Sequence, residues 1–520
     1  MKSRAWASLT GAALVCCLTL LPTVIGASTV AAATPTHGGN LIIGTTVETP
    51  SLDPFHQGAD ARIQRTVLMY QGLTWADDSG RIEPLLATGW TLSDHGRVYT
   101  FTLRHGVYFH SGQLMTSRDV AYSYNYLRNP KNGSPGAGDL SAVTSITPVG
   151  KWKVRFTLSH PDASLPGALA GHYGGVIPAG YFDHPGAELN NREDGTGPFM
   201  LEKWVPNQYL KLVRNPHYWQ KGLPYLNSVT FVIVPDENTL VSDLESGRID
   251  LALPQSASDY YVLQRDRSLR VQVSKSLIWD SLDLNCGVKP TDNVLVRRAI
   301  ELSIDKKAVM IAAVEGVGKV IGEMPAGMTT WALPTSQLPN QVPDIAKAKA
   351  LLAQAGYPHG ITIPLRIISG FSWMGPAANV IASELARAGI TADIQKVDLG
   401  VWINAWVADK SPNTLNEWGT VPDPGLLYYR HFHMRPLGAD FRNWNNVQGS
   451  RLLDQAQQAE TIAAQKALYD RFQVLLAQSA PTIPLFSPDI ITATQKWVHG
   501  YVQHPSGWYY GVLNTWLSPH

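Results

Sequence analysis

The residues that could do chemistry do not assemble into a catalytic constellation. Gly370-Phe371-Ser372-Trp373-Met374 begins like a nucleophile elbow, but Met374 stands where the motif needs its closing glycine. The chain has no G-x-x-x-x-G-K-[ST] loop to cradle a nucleotide's phosphates, and Gly316-Val317-Gly318 lacks the third glycine of a dinucleotide fingerprint. H-E-x-x-H is absent, so no helix presents the paired histidines of a zinc hydrolase. His431 and His433 flank Phe432, which on a strand puts both imidazoles on one face, but two ligands without a third read as surface residues. Carboxylates are plentiful, yet no spacing singles out a glycosidase pair. The sequence therefore predicts no catalytic residue, no metal site and no cofactor.

What the composition does supply is flat amphipathic surface, with 16 Trp and 20 Tyr. Most must fill cores, and the remainder can line a pocket that holds a solute by stacking and shape. Hydrophobic residues make up 44% and charged residues 16% of the 520, enough for more than one lobe with a buried core. The net charge of +1 gives no electrostatic footprint for nucleic acid or an anionic membrane.

The N-terminus has the plan of an export signal. Lys2 and Arg4 precede an apolar stretch that includes Leu14 to Leu21, Pro22 and Gly26 interrupt it, and Ala31-Ala32-Ala33 offers the small residues of a cleavage site. Cys16 and Cys17 fall inside this segment, and neither has the small neighbour expected before an acylated cysteine. Cys286 would then be alone in the mature chain, so no internal disulfide can form.

The elements that must position any pocket are readable in part. Asn40 to Val47 reads as a strand, and Tyr99, Phe101 and Leu103, like Trp152, Val154, Phe156 and Leu158, alternate as half-buried strands do. Thr116 and Asp119 have capping-box spacing ahead of a helix with Val120, Tyr124 and Leu127 on one face. The Gly/Pro/Asn-rich stretch 129–139 reads as an exposed loop. Further strands fall at Tyr209–Val213 and Val229–Val234, and Asp236 is placed to cap a helix ended by Gly247. Asp292 precedes another helix, with Val296, Ala299 and Ile300. Between Asp344 and Val397 a capped helix stops at Gly356. A strand from Ile361 to Ile367, a helix from Ala377 to Ala388 and a strand from Ile390 to Val397 follow as a βαβ unit with a parallel pair.

These landmarks occur in an order that resembles one family, the extracellular solute-binding proteins of the peptide, dipeptide and nickel importers. The carriers of the likeness are Ser51-Leu52-Asp53-Pro54, Tyr70-Gln71-Gly72-Leu73, Pro84-Leu85-Leu86-Ala87 and Tyr99 to Arg104. Gly106 to Gly112, Asp119-Val120, Gly195-Thr196-Gly197-Pro198-Phe199, Arg214-Asn215-Pro216 and Tyr218-Trp219 come next. Leu244 to Asp250, Arg297 to Ile300, Ile304-Asp305-Lys306, Lys347 to Tyr357 and Pro422-Asp423-Pro424 complete the series. The resemblance implies an α/β, two-lobed fold of the periplasmic-binding-protein type (type II, venus flytrap) with an extra subdomain inserted in the first lobe. Its expected layout is a signal peptide at 1–33, lobe I at 34–72, the inserted subdomain at 73–192, lobe I again at 193–280, lobe II at 281–491 and a return to lobe I at 492–520.

The resemblance further implies a monomeric, exported binding protein, periplasmic or at the cell surface, and no enzyme. It would capture a peptide or peptide-like solute between its lobes and hand it to an ABC permease with cytoplasmic ATPase subunits. A glycoside, an opine-like compound or a metal chelate is the alternative solute, and a hydrolase or sensor on the same fold a more distant one. The ligand-side residues it suggests are Glu48, Trp418, Thr420, Asp423, Tyr428, Trp402 and Trp373. The alternative readings are a turn carboxylate for Glu48, a turn-shaping role for Asp423 and core positions for the aromatic residues. Relatives that anchor a peptide's free amine carry a carboxylate three residues before Asp-Pro, where this chain has Thr420. Nickel receptors have a histidine just after that pair, where this chain has Gly425. A hydroxyl cannot offset a buried ammonium, so binding should not depend on a free amino terminus unless Glu48 takes that role.

Overall fold

The computed structural model describes residues 34–56, 60–170, 173, 175–183, 192–407, 412–419, 423–434 and 442–520. The proposed signal and Thr420 lie outside them. From Thr36 to His520 the chain forms one compact unit. It is built on two large sheets, each with its own hydrophobic core.

The first sheet has seven strands in the order Leu269–Ser274, Ile490–Gln495, Leu251–Ala252, Asn40–Thr45, Ser228–Ile233, Tyr209–Arg214 and Phe199–Val205. Asn40–Thr45 runs parallel to Ser228–Ile233, far along the chain, and buries Leu41 and Ile43 completely. Four antiparallel strands, Ala87–Ser93, Val98–Leu103, Lys153–Leu158 and Val143–Pro148, form a separate sheet in the intervening segment. Helix Ser117–Arg128 covers that sheet. Thr116 caps it with Asp119 bonding back at 2.7 Å, and Val120, Tyr124 and Leu127 are buried, as their spacing predicted. The 129–139 stretch is mostly exposed, as expected, but it is not irregular throughout. It coils into two short 3₁₀ turns, and Gly136 is buried because its backbone packs against the Tyr173 ring.

The second sheet has six strands in the order Gly318–Val320, Thr482–Pro488, Trp279–Asp283, Thr414–Trp418, Ile361–Ile368 and Ile390–Val397. The parallel pairing of Ile361–Ile368 with Ile390–Val397 through helix Met374–Arg387 is the βαβ unit read in the sequence. The helix expected after Asp292 runs over Val294–Ser303 and is capped by Asn293. The Asn293 side-chain Oδ1 accepts from Leu295 N at 2.9 Å.

The chain passes between the two sheets twice. Residues 275–278 join Leu269–Ser274 to Trp279–Asp283, and Asp489 alone joins Thr482–Pro488 to Ile490–Gln495. Both connections are tied down, since Ser276 Oγ donates to the Pro488 carbonyl at 2.5 Å and Leu277 N to the Pro505 carbonyl at 2.8 Å. The C-terminal residues Val498, Tyr509, Val512 and Leu517 pack into the core of the first sheet. The mixed α/β architecture therefore has two lobes joined by a pair of short connections.

Candidate functional site

Where the lobes meet, small residues let their backbones approach. Helix Leu165–Ala168 belongs to the first lobe's core, while helix Pro424–Phe432 rises from the second. A Cβ at Gly167 would lie 2.6 Å from Asp423 Cβ, and one at Gly425 would lie 2.9 Å from Ser164 Cβ, so both positions require glycine while the lobes touch. Ala163 N donates to the Gln457 carbonyl at 3.0 Å and Ser164 N to Gln457 Oε1 at 3.1 Å. Beside this contact, Asp139, His160, Asp162, Tyr429 and Gln457 line a cavity of about 470 Å³. Two further bridges close other parts of the junction. Trp331 Nε1 donates to the Gly80 carbonyl at 3.2 Å, and the Tyr261 hydroxyl to the Glu315 carbonyl at 2.8 Å.

Asp423 is the sequence-selected residue that sits in this contact. Its Oδ1 caps helix Pro424–Phe432 by accepting from Leu426 N at 2.9 Å, and Pro424 at the first helical position fixes the turn. Burial, with the Asp162 carboxylate adding to it, pushes Asp423 up to about 7, against the pull of its own cap bonds.

Trp418 and Tyr428 lie together in one core of the second lobe. Trp418 is 8% exposed, and its Nε1 donates to Ser281 Oγ at 3.1 Å and Asp283 Oδ2 at 3.2 Å. Asp283 also accepts from Thr482 Oγ1 at 2.5 Å, Asn416 Nδ2 at 2.5 Å and Arg442 Nε at 3.1 Å, all of them buried. The Arg442 guanidinium stacks 4.9 Å from the Trp418 ring and 4.7 Å from that of Phe432. Tyr428 is fully buried and its hydroxyl donates to the Glu323 carbonyl at 2.8 Å. These two aromatics form the framework of the second lobe's wall.

The remaining candidates stand apart. Glu48 is half-buried on the first lobe, where Oε1 accepts from Thr49 N at 2.6 Å and Oε2 from Asn207 N at the tip of a hairpin. Trp373, 7% exposed, precedes helix Met374–Arg387 and donates from Nε1 to Glu417 Oε2 at 3.2 Å. Trp402 is half-buried on helix Leu399–Val407 against the same core as Trp373. His431 and His433 occupy a helix end rather than a strand. His431 packs against the Trp418 ring at 4.6 Å, while His433 Nε2 meets Asp454 Oδ1 at 3.0 Å. Among the described residues, no group of three or more His, Cys, Asp or Glu is arranged to hold a metal ion, and no helix is long and apolar enough to cross a membrane.

The sequence reading missed Asp280, Asp283, Glu417, Gly167 and Arg442. A usable signal existed for the first two: charged residues at 280 and 283 interrupt a short apolar run that the fold buries on both faces.

The glutathione-binding protein GsiB of Salmonella paratyphi A is 27% identical over 494 residues, spanning 91% of this chain and 94% of the relative. The binding protein DppA of Helicobacter pylori, solved with the peptide STSA, superposes with a TM-score of 0.76 at 26% identity, covering 93% of this chain and 99% of that one. AgaA of A. tumefaciens R10, solved with agropinic acid, gives a TM-score of 0.76 at 26% identity, again over 93% of this chain and 99% of that one. The profile of the bacterial extracellular solute-binding proteins, family 5, matches residues 81–436, and the chain belongs to that family.

Proposed function

We propose that this protein is the exported solute receptor of an ABC importer, capturing a peptide-like solute between its lobes and delivering it to a membrane permease. The observation that carries the reading is the lobe junction. Two short connections join lobes that touch through backbone-level contacts at Gly167 and Gly425, an arrangement suited to opening and to closing over a ligand. Glu48 on the first lobe, Trp373 and Trp402 on the second, and the sequence-selected Thr420 are the proposed ligand-side groups. Asp423, Trp418 and Tyr428 support the second lobe's side of the junction. A solute favours the closed form only through contacts the open form cannot make. A ligand of this kind adds about 2.7 kcal/mol of stability at a hundredfold excess over its dissociation constant. Small-angle scattering during titration with a tripeptide mixture should show compaction together with a raised melting temperature. Turnover of the bound solute would refute a receptor role.

The AgaA complex supports one second reading, a nonpeptide solute in the same junction. Calorimetry with agropinic acid separates it from the first, because a peptide receptor should bind the tripeptides and not this compound.

A further inference from the structure

Three adjacent strands of the second sheet bring Phe486, Asp280 and Glu417 into one row. Asp280 stands opposite Glu417 on one side and Phe486 on the other. Directly opposed antiparallel residues hold their Cβ atoms about 4.5–5.5 Å apart, and like charges there are destabilising. The Trp373 indole spans the row. Its ring meets Phe486 edge-on at 5.7 Å, and its Nε1 reaches Glu417 at 3.2 Å, so it roofs the carboxyl between them.

Asp280 under that roof is 1% exposed, and neither of its oxygens accepts a hydrogen bond. Burial, with the Glu417 charge adding to it, holds its carboxyl well above the usual range. A buried carboxylate left so is costly unless an opposite charge arrives. Glu417 is exposed, so the pair opens to solvent on that side. Asp280 is the second residue after the connection 275–278, at the end of the sheet where the lobes meet. Trp373 itself sits in the turn that follows Gly370, whose φ is +96°, just ahead of helix Met374–Arg387.

We propose that Asp280 and Glu417, roofed by Trp373, form a subsite for a positively charged group of the solute, an ammonium or a guanidinium. This rests on the peptide-like reading above and narrows it to cationic members of that class. The entering cation takes the place of the proton that burial keeps on Asp280, pairs with both carboxylates and packs against the π face of Trp373. Neither carboxylate occupies position 420, where the sequence has threonine.

The test compares Ala-Lys-Ala with Ala-norleucine-Ala by calorimetry, alongside N-acetyl-lysine amide and N-acetyl-norleucine amide as probes that do not require a peptide receptor. Wild-type protein should bind the lysine member of each pair at least tenfold more tightly. Glu417→Gln and Asp280→Asn should each abolish that preference while leaving norleucine affinities within about twofold. Both changes are near-isosteric, and a melting temperature at or above that of wild type shows that the variants fold. Equal affinities within the pairs, as for a carboxyl pair that merely shares a proton, would overturn the subsite. A preference that survives both substitutions would do the same. If neither tripeptide binds but the lysine amide does so through Glu417, the subsite stands and the peptide reading falls.

Discussion

Substituting Gly167 by Ala should open the protein without unfolding it. The backbone at Gly167 lies in helix Leu165–Ala168 with no positive φ, so alanine suits the local conformation. The obstacle is entirely across the junction. The new methyl would sit 2.6 Å from Asp423 Cβ, 2.9 Å from Cγ and 3.0 Å from Oδ2. Ordinary carbon contacts lie near 3.5–4.0 Å, so roughly 1 Å of separation is needed. Asp423 cannot supply it by rotating, because its cap bond to Leu426 and the following Pro424 hold its backbone. Overpacking of this kind costs about 1–3 kcal/mol, charged only to the conformer in which the lobes touch. That shifts the closed-to-open ratio by about fivefold to 150-fold toward open. Small-angle scattering should report a larger radius of gyration, and titration should report solute affinity weakened by the same factor. The melting temperature of the unliganded protein should fall by no more than a few degrees. A lowered melting temperature with unchanged dimensions would refute the reasoning, since it would make this contact a permanent part of the core.

Arg442→Ala should destabilise the protein by about 3–5 kcal/mol in urea unfolding, because it leaves Asp283 buried without its cation and strips the stack from Trp418; a loss below about 1 kcal/mol would contradict the pairing. Asp423 takes up a proton on folding, its carboxyl rising from 3.8 to about 7, so its contribution is complete below the unfolded value and is lost as pH rises through about 7. Asp423→Asn keeps the cap acceptor, and its stability relative to wild type should therefore grow between pH 4 and 7, by up to about 1.4 kcal/mol per pH unit, and then level off. A pH-independent difference would show that Asp423 is solvated. Intact mass of the exported protein should lack the first ~33 residues, and a full-length mass in the membrane fraction would overturn the export reading.

The sequence made legible what neighbouring residues decide among themselves. Thr116, Asp236 and Asp344 each bond the amides two or three residues ahead, so their helices could be located by spacing alone. The βαβ unit was similarly readable because 3.6 and 2.0 periodicities alternate over a short stretch. What spacing could not supply was partnership across distance. Asn40–Thr45 pairs with Ser228–Ile233, Asp283 meets Arg442 159 residues later, and Asp280 acquires its meaning only opposite Glu417. Trp418 and Tyr428 are suggested by the family resemblance alone, and the burial of both in one core depends on partners such as Ser281, Asp283 and Glu323 that lie far away in the sequence. His431 and His433 could not be assigned because a strand and a helix place alternate residues differently, and the helix N-terminus at Asp423 decides the matter.

Mass spectrometry of whatever is released on denaturing freshly purified protein distinguishes a peptide receptor from the alternatives. A receptor for cationic peptide-like solutes should release a mixture of short peptides or peptide-like compounds, unchanged after prolonged incubation with the protein and enriched in lysine and arginine. Release of a single nonpeptide compound, or conversion of the bound material to a product, would contradict it.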